Sequence, residues 1–422
     1  MKPFGLDDEI QVDIPKYLPS SLEKLSLFWE LDEWEGIVTE FQYPFSMNHL
    51  KNLQKLELKL TLALDDFRDI IKTVSDPSKL KILRFDIANT IAIARKKDGR
   101  VYEDVEEFLR GCSNLEGLEI RIHAFPVMDF FFETANTKLK ELKIHHCAFR
   151  ENNDDLLELG DIIKHQKDSL ENLVLSLRYK DFEASSLERL FENIKLLQNL
   201  KKFELKLLLP PSSQKIPSIA VLLAGVVEAF DCLEELDFEE DPVDLQEDSK
   251  EDFERLCQVL VRKHSKSLKS LRLSCQKHVD ILMQTLKRLP RLEHLSLWNL
   301  KAEGSNFYSD LRDLVCGRNK GLNSVTILEN SQKYRNEEHE NFKRMLHDII
   351  YKPTMKKLCY WEDGDTTMLR CNEAFNSFES PGFFLNLPDI LREVYHFENL
   401  EIPFYICKPM FDSKHFDRYK WE

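Results

Sequence analysis

The densest group of metal-binding side chain types in this sequence is the run His145, His146 and Cys147. Imidazole and thiolate groups are the ligands that zinc prefers. Adjacent residues of an extended strand point to opposite sides, so two members of this run would not share one tetrahedral ion. The sequence also lacks the glycine-rich phosphate loops, the Gly-x-Ser-x-Gly turn and the His-Glu-x-x-His pair of common catalytic sites. We therefore expect no catalytic residue, no metal site, no cofactor and no enzyme activity.

Two tryptophans have the chemistry of a protein-binding site. Trp298 and Trp361 each follow an apolar strand position and have small polar residues such as Ser296 and Thr326 near them. An exposed indole is uncommon on a solvated surface and is a preferred anchor in protein interfaces. We expect both rings to contact an apolar side chain of a partner, the alternative being that a terminal segment covers them.

Charged residues at equivalent positions extend this candidate surface. It is predicted to be mixed and mildly basic in the first half, acidic at the eighth strand, and uncharged near the tryptophans. The candidate partner-binding residues are Trp298, Trp361, His294, Arg272, Glu235, Asp237, Glu239, Lys202, Lys206, Lys55 and Lys59.

These residues belong to a repeated sequence motif, which we call the leucine phrase and which determines where they lie in the fold. It consists of an apolar residue, two others, a second apolar residue, one other and a third apolar residue, as in Leu53, Leu56 and Leu58. Thirteen copies occur, starting 24 to 42 residues apart, and the last two are looser than the rest. A period of this length is typical of a repeat protein whose units stack on one another.

Each phrase predicts a short strand followed by a helix. The second and third apolar positions are two residues apart, so both point to the same side of a strand. Helical spacing follows, for example at Phe67, Ile70, Ile71 and Val74. Strands joined by crossover helices are parallel, with the helices on one side. We therefore predict an α/β solenoid, a horseshoe with about thirteen parallel strands on its concave face and helices on its convex face.

This pattern resembles the leucine-rich repeat family, in its long, helix-bearing type found in ribonuclease inhibitor and in the repeat regions of F-box proteins. The resemblance covers roughly residues 18 to 405. The asparagine or cysteine that usually supports the turn, three residues after the third apolar position, is mostly absent, and Cys147 is an exception. Irregular turns are expected. The resemblance implies protein binding on the concave face.

Three segments are predicted for the chain. Residues 1–19 would form an N-terminal cap, residues 20–403 the repeats, and residues 404–422 a C-terminal cap, because terminal repeats need a cover for the exposed core. Insertions are expected near 88–104, 239–252 and 362–386, where the repeats are longest.

The charge of the chain favours a protein partner. The formal net charge is −15, and twelve acidic residues but one lysine lie between Glu234 and Glu254. A negative chain repels nucleic acid and anionic lipid. We expect a protein partner with a basic surface, and no nucleic acid or membrane.

Cysteine usage indicates the compartment. Nine cysteines are scattered singly, and several, such as Cys257 and Cys316, lie in apolar runs typical of small buried thiols. With no signal segment and no membrane-length apolar run, we expect an intracellular protein of the cytoplasm or nucleus.

Two functions remain open at this point. The first is a non-catalytic scaffold that binds a protein on its concave face. The second is a substrate-receptor subunit of a ubiquitin ligase, F-box-like in its repeats. The first repeat begins by Leu22, which leaves no room before it for the helical F-box module, so this alternative lacks a recognisable F-box in the chain.

Overall fold

The structure is a computed structural model that divides into two compact units. The first unit comprises residues 1–200 and 207–214, and the second comprises residues 201–206 and 215–422. The predicted thirteenth copy near Leu400 and the C-terminal cap lie outside the described residues, as does the N-terminal cap before residue 18. The structure describes residues 18–28, 46–62, 64–87, 100–122, 138–148, 154–178, 184–208, 218–240, 250–274, 278–300, 306–319, 321–329, 344–345, 348–349, 354, 357–362 and 365–370.

Six strands of the first unit pair in the order of the sequence. They are β1 (Lys24–Phe28), β2 (Lys55–Leu62), β3 (Ile82–Ile87), β4 (Gly117–Ile122), β5 (Glu141–Ala148) and β6 (Asn172–Arg178). Every neighbouring pair is parallel, and the first residue of each strand pairs with the first residue of the next. Because each copy of the leucine phrase has the same offset from its strand, this register agrees with the sequence prediction.

The strands of the second unit follow the same plan up to β12. They are residues 202–206 of β7 (Lys202–Leu208), β8 (Glu235–Glu240), β9 (Ser270–Ser274), β10 (His294–Leu300), β11 (Ser324–Glu329), β12 (Lys357–Glu362) and β13 (Asp365–Arg370). Strands β8 to β12 pair in parallel in sequence order.

The last described strand shows that the prediction of parallel pairing throughout was wrong. Strand β13 pairs antiparallel with β12, with Glu362 opposite Asp365. Only Asp363 and Gly364 separate the two strands in the sequence, and a parallel crossover needs a dozen or more residues. An Asp-Gly pair is a strong signal for a two-residue hairpin. The predicted insertion near 362–386 therefore includes a strand.

Helices connect most of the strands. The first unit contains α1 (Leu64–Ile71), a 3₁₀ turn (Pro77–Lys79), α2 (Arg100–Gly111), α3 (Asp154–His165) and α4 (Ala184–Ile194). The second contains α5 (Ile219–Ala229), α6 (Lys250–His264), α7 (Val279–Leu286), α8 (Phe307–Asp313) and a π-helical turn (Leu314–Arg318). The insertions predicted near 88–104 and 239–252 partly coincide with these elements, since α2 begins at Arg100 and α6 at Lys250.

The leucine phrase forms the core between strands and helices. Leu53, Leu56 and Leu58 are 2%, 0% and 0% exposed. On the same side of the sheet, Phe67 of α1 stacks on Phe85 of β3 with ring centroids 4.5 Å apart. Burial of one such side chain stabilises the fold by about 1.5–3 kcal/mol. The strand residues that alternate with the leucines therefore lie on the side away from the helices.

Backbone hydrogen bonds at the start of each strand hold the register. The carbonyl oxygen of Glu23 accepts from both Gln54 N and Lys55 N, at 2.8 and 3.0 Å. The carbonyl of Gln54 accepts in the same way from the next repeat, and the pattern recurs in the second unit at Lys269. The side chains that alternate with the leucines are thereby brought into rows across the strands.

Candidate functional site

The strand face of the first unit contains a row of alternating charge. Ser26, Glu57, Arg84, Glu119 and Lys143 are paired in register from β1 to β5. Neighbouring strands are about 4.8 Å apart, so each cation lies close to the carboxylate on either side. We call the residues on this side of β1–β6 the first-unit face, namely Lys24, Ser26, Lys55, Glu57, Ile82, Arg84, Gly117, Glu119, Arg121, Glu141, Lys143, His145, Asn172, Val174 and Ser176.

Arg84 connects three carboxylates of this face. Its Nη1 donates a hydrogen bond to Glu57 Oε1 at 2.8 Å, and its Nη2 donates to Glu141 Oε1 at 3.1 Å. Its Nε lies 3.3 Å from Glu119 Oε2. A planar guanidinium suits this role because its donors point in several fixed directions. Arg84 thus links strands β2 to β5.

Glu57 is almost completely buried, with 5% of the residue exposed. Burial raises the pKa of its carboxyl, but hydrogen bonds from Ser26 and Lys55 and the charges of Lys55 and Arg84 together lower it below its ordinary value. Lys55 Nζ lies 3.1 Å from Glu57 Oε1. Lys55, a predicted binding residue, is therefore engaged in an ion pair within the face.

Glu119 occupies an equivalent position on β4 and is 8% exposed. The interaction with His145, whose Nε2 lies 3.6 Å from Glu119 Oε1, is the main cause that lowers the pKa of this carboxyl to about 2. Burial opposes the shift, and the charges of Lys143 and Arg84 add to it. Glu119 is thus a carboxylate at neutral pH.

Trp298 of β10 is partly exposed on the strand face of the second unit. Its Nε1 donates a hydrogen bond to Ser296 Oγ at 2.6 Å, and the guanidinium carbon of Arg272 lies 3.9 Å from the ring centroid. A cation at this distance from an indole face is attracted by the ring. The ring is therefore held by two contacts.

We call the described residues on this side of the second unit the second-unit face. They are Lys202, Glu204, Lys206, Glu235, Asp237, Glu239, Ser270, Arg272, Ser274, His294, Ser296, Trp298, Ser324 and Thr326.

Arg272 also pairs with the acidic residues of β8. Its Nη2 donates to Glu239 Oε2 at 2.9 Å, and its Nη1 donates to Asp237 Oδ2 at 3.3 Å. Burial is the main cause that raises the pKa of Asp237 to about 6, with the nearby carboxylates Glu204 and Glu239 adding to it and Arg272 opposing it. One guanidinium thus joins the acidic strand to Trp298.

Lysines of β7 pair with the other side of β8. Lys202 Nζ lies 3.0 Å from Glu235 Oε2, and Lys206 Nζ lies 3.3 Å from Glu239 Oε2. The negative charge predicted for the eighth strand is therefore largely matched by cations of its neighbours. Glu235 is the most exposed of these acids, with 48% of its side chain accessible.

Three other predicted binding residues have different positions. His294 is exposed at the start of β10. Lys59 lies in β2, and Trp361 lies in β12 opposite Leu328, but the side chains of both are outside the described part of the chain. The proposed contact of one partner with both tryptophans stays a prediction.

The list of candidate residues omitted the charged centre of the first-unit face. Arg84, Glu119, Glu141 and Lys143 lie on the same side of the sheet as Lys55 but were not among the predicted binding residues. The sequence does contain a signal for this group of charges, because alignment of the leucine phrases places Glu57 beside Arg84 and Arg84 beside Glu119. Opposite charges at neighbouring positions of one row predict an ion-pair network.

An open groove of about 850 Å³ lies along the starts of strands β1 to β5 in the first unit. Its lining is polar and of mixed charge, with Lys81, Glu116 and Lys140 near its centre. Lys140 Nζ donates to Glu116 Oε2 at 2.8 Å. These side chains compensate one another, and the groove has no dominant charge.

Within the described ranges, no three His, Cys, Asp or Glu side chains are grouped so that they could hold a metal ion. None of the helices seen there combines the length and apolar character needed to cross a bilayer.

Comparisons with known proteins found remote structural similarities and no related sequence. No protein-family model matches the chain, and no curated protein matches its sequence. The leucine-rich repeat-containing protein LegL7 from Legionella pneumophila is similar over 82% of this chain and 92% of its own, with 11% identity and a TM-score of 0.34. A sugar phosphate isomerase/epimerase from Parabacteroides distasonis is similar over 61% of this chain and 93% of its own, with 9% identity and a TM-score of 0.19.

Neither similarity carries an argument about function. The class of fold follows from the chain itself, since parallel strands in sequence order alternate with helices and the leucine phrase fills the core between them. These units define an α/β repeat fold.

Proposed function

We propose that this chain is a non-catalytic scaffold that binds a protein partner on its strand faces, with Trp298 as an anchor. The observation that carries the proposal is the pair of contacts on the Trp298 ring, from Arg272 and Ser296. A partly exposed indole that is already held in one orientation loses little conformational freedom when it is buried by a partner. Tryptophan side chains of this kind dominate the binding energy of many interfaces.

The surroundings of Trp298 support the same role. Small side chains lie beside Trp298 on the strand face, namely Ser274 in register with it on β9, Ser296 two residues before it on β10, and Thr326 in register with Ser296 on β11. A bulky apolar group of the partner would contact the ring there. A basic group of the partner would lie near Glu235, the most exposed acid of this face.

Photo-crosslinking from the strand face tests the proposal. A benzophenone amino acid placed at Ser324 lies on the same strand face as the proposed anchor, on the neighbouring strand and in register with His294, whereas the same group at Gln284 lies on the exposed side of α7. We expect the Ser324 variant to crosslink one specific partner in extracts of the native cell, and the Gln284 variant to leave that partner unlinked. Mass spectrometry identifies the partner.

Two results would overturn the proposal. One is crosslinking of the same partner from Gln284 but not from Ser324, which would move the binding surface to the helices. The other is a Ser324 crosslink whose yield is unchanged by Trp298→Ala. A ubiquitin-ligase component as the crosslinked protein would favour the substrate-receptor alternative within the same scaffold role.

A further inference from the structure

Two of the three described carboxylates of the first-unit face, Glu57 and Glu119, lie beneath its cations, and the third, Glu141, has a side chain that is 26% exposed. The side chains of Glu57 and Glu119 are 6% and 10% exposed, whereas those of Lys55, Arg84 and Arg121 are 26%, 23% and 46% exposed. A partner that approaches strands β2 to β4 of this face therefore meets ammonium and guanidinium groups before the carboxylates of Glu57 and Glu119. The buried carboxylates hold these groups in place from below.

The carboxylate oxygens of this face that the structure describes are already used. Both oxygens of Glu57, of Glu119 and of Glu141 lie within hydrogen-bond or ion-pair range of a donor in the same face. The donors are Ser26, Lys55, Arg84, Lys143, His145 and Asn172. Among the side chains of this face that the structure describes, a basic segment would find no unpaired carboxylate.

The donors, in contrast, are in surplus. A lysine has three donor hydrogens and an arginine has five. Cations outnumber carboxylates among the face positions whose side chains the structure describes. The cations are Lys24, Lys55, Arg84, Arg121 and Lys143, and the carboxylates are Glu57, Glu119 and Glu141. Among the described carboxylates, Glu119 pairs with Arg121 at 3.8 Å, within ion-pair range but beyond hydrogen-bond distance. Lys24 is exposed.

We propose that the first-unit face binds an acidic, extended segment of another protein. The cations extend from β1 to β5, which corresponds to about 19 Å at roughly 4.8 Å per strand, or about six residues of extended chain. Carboxylates spaced along such a segment would accept the spare hydrogen bonds of Arg121, Lys24 and Lys143. The chain as a whole carries a net charge of −15. A general attraction of acidic peptides is therefore excluded, and any affinity must come from this local surface.

The proposal concerns the first unit and does not rest on Trp298. A fluorescein-labelled peptide of alternating glutamate and serine, about ten residues long, serves as the probe in fluorescence polarisation at low salt. We expect saturable binding to the full chain, weakened at least about tenfold by the double change Arg121→Glu and Lys24→Glu, and weakened by added salt. The peptide with glutamine in place of glutamate should not bind.

A matched control keeps the net charge equal. Lys164→Glu and Lys167→Glu make the same charge change at exposed positions on and after α3 of the same unit, and we expect this pair to leave the affinity unchanged. Arg121→Gln, a milder change at an exposed site, gives a second reading if the double variant does not fold. Circular dichroism reports folding of each variant.

Three results would overturn the proposal. The acidic peptide fails to bind the wild-type chain, or the control pair weakens binding as much as the face pair does. Alternatively, a single-stranded oligonucleotide of similar length binds more tightly than the peptide and loses its affinity with Arg121→Glu. That result would assign the face to nucleic acid.

Discussion

The guanidinium of Arg272 lies 3.9 Å from the centre of the Trp298 ring, while its nitrogens donate to carboxylates of β8. The two residues are diagonal neighbours, since Arg272 pairs with Ser296 and Trp298 pairs with Ser274. An acidic strand and an aromatic anchor are thereby joined through one side chain. Removal of the Arg272 charge would affect both.

The leucine phrase should make a large contribution to stability. Leu271 of β9 is 0% exposed and fills one layer of the second-unit core. We expect Leu271→Ala to lower the free energy of unfolding by about 2–5 kcal/mol, because the change leaves a cavity among packed side chains. Urea denaturation measures the change. Lys266→Ala at an exposed position is the control, and a loss below about 1 kcal/mol at Leu271 would show that the strand frame is misassigned.

Asp237 should make stability depend on pH. Folding raises its pKa from 3.8 to about 6, mainly through burial. The folded state then holds the proton more tightly than the unfolded state, so this contribution is present below pH 3.8 and is lost as the pH rises through 6. Asp237→Asn resembles the protonated acid at every pH. We therefore expect the difference in free energy of unfolding, variant minus wild type, to be about 1–3 kcal/mol larger at pH 7.5 than at pH 4.

Denaturation of both proteins across this pH range measures that difference. Asp280→Asn at an exposed position of α7 is the control and should show no such dependence. A difference between Asp237→Asn and wild type that is the same at both pH values would contradict a raised pKa at Asp237.

Glu119 should act with the opposite sign. Folding lowers the pKa of its carboxyl from 4.5 to about 2, chiefly through His145. Its carboxylate therefore stabilises the folded state above pH 4.5, and the contribution disappears as the pH falls through 2. We expect Glu119→Gln to cost about 1–3 kcal/mol at pH 7 and almost nothing near pH 2. Equal effects of Glu119→Gln and of the exposed control Glu188→Gln at pH 7 would refute the network.

Thiol reactivity should separate the cysteines. Burial raises the pKa of Cys112 to about 12 and that of Cys257 to about 11, whereas Cys232 is exposed. Because the thiolate is the reactive form, we expect iodoacetamide at pH 8 to modify Cys232 in the native protein and to spare Cys112 and Cys257 until denaturant is added. Peptide mass spectrometry reads this out. If Cys112 in the native protein were modified as fast as Cys232, that result would contradict the burial of Cys112 after α2.

The sequence predicted the strands and their register well because every leucine phrase has the same internal spacing. Leu56 and Leu83, for example, pair directly, as their positions in the phrase require. The buried state of Cys257 was also predicted, while Cys316 is exposed although it follows Leu314 and Val315. It lies in a π-helical turn, where helical spacing no longer determines which side a residue faces.

Other features depend on side-chain conformations that spacing does not determine. Glu57 lies on the side of the sheet away from the helices, and its burial arises from Lys55 and Arg84 lying over it. The contact between Arg272 and Trp298 is diagonal across two strands, so it depends on the rotamers of two long side chains. The rows of charge follow from the sequence, whereas the depth of each charge does not.

Trp298→Ala tests the central claim most directly, when the affinity for the crosslinked partner and the melting temperature are measured on the same variant. Leu196→Ala, at an apolar side chain that is 41% exposed, is the control for loss of exposed apolar surface. We predict that Trp298→Ala weakens binding by more than about 2 kcal/mol in isothermal titration calorimetry, with little change in melting temperature. An unchanged affinity, or a fall of many degrees in melting temperature, would contradict the account, because the ring would then be either idle or part of the core.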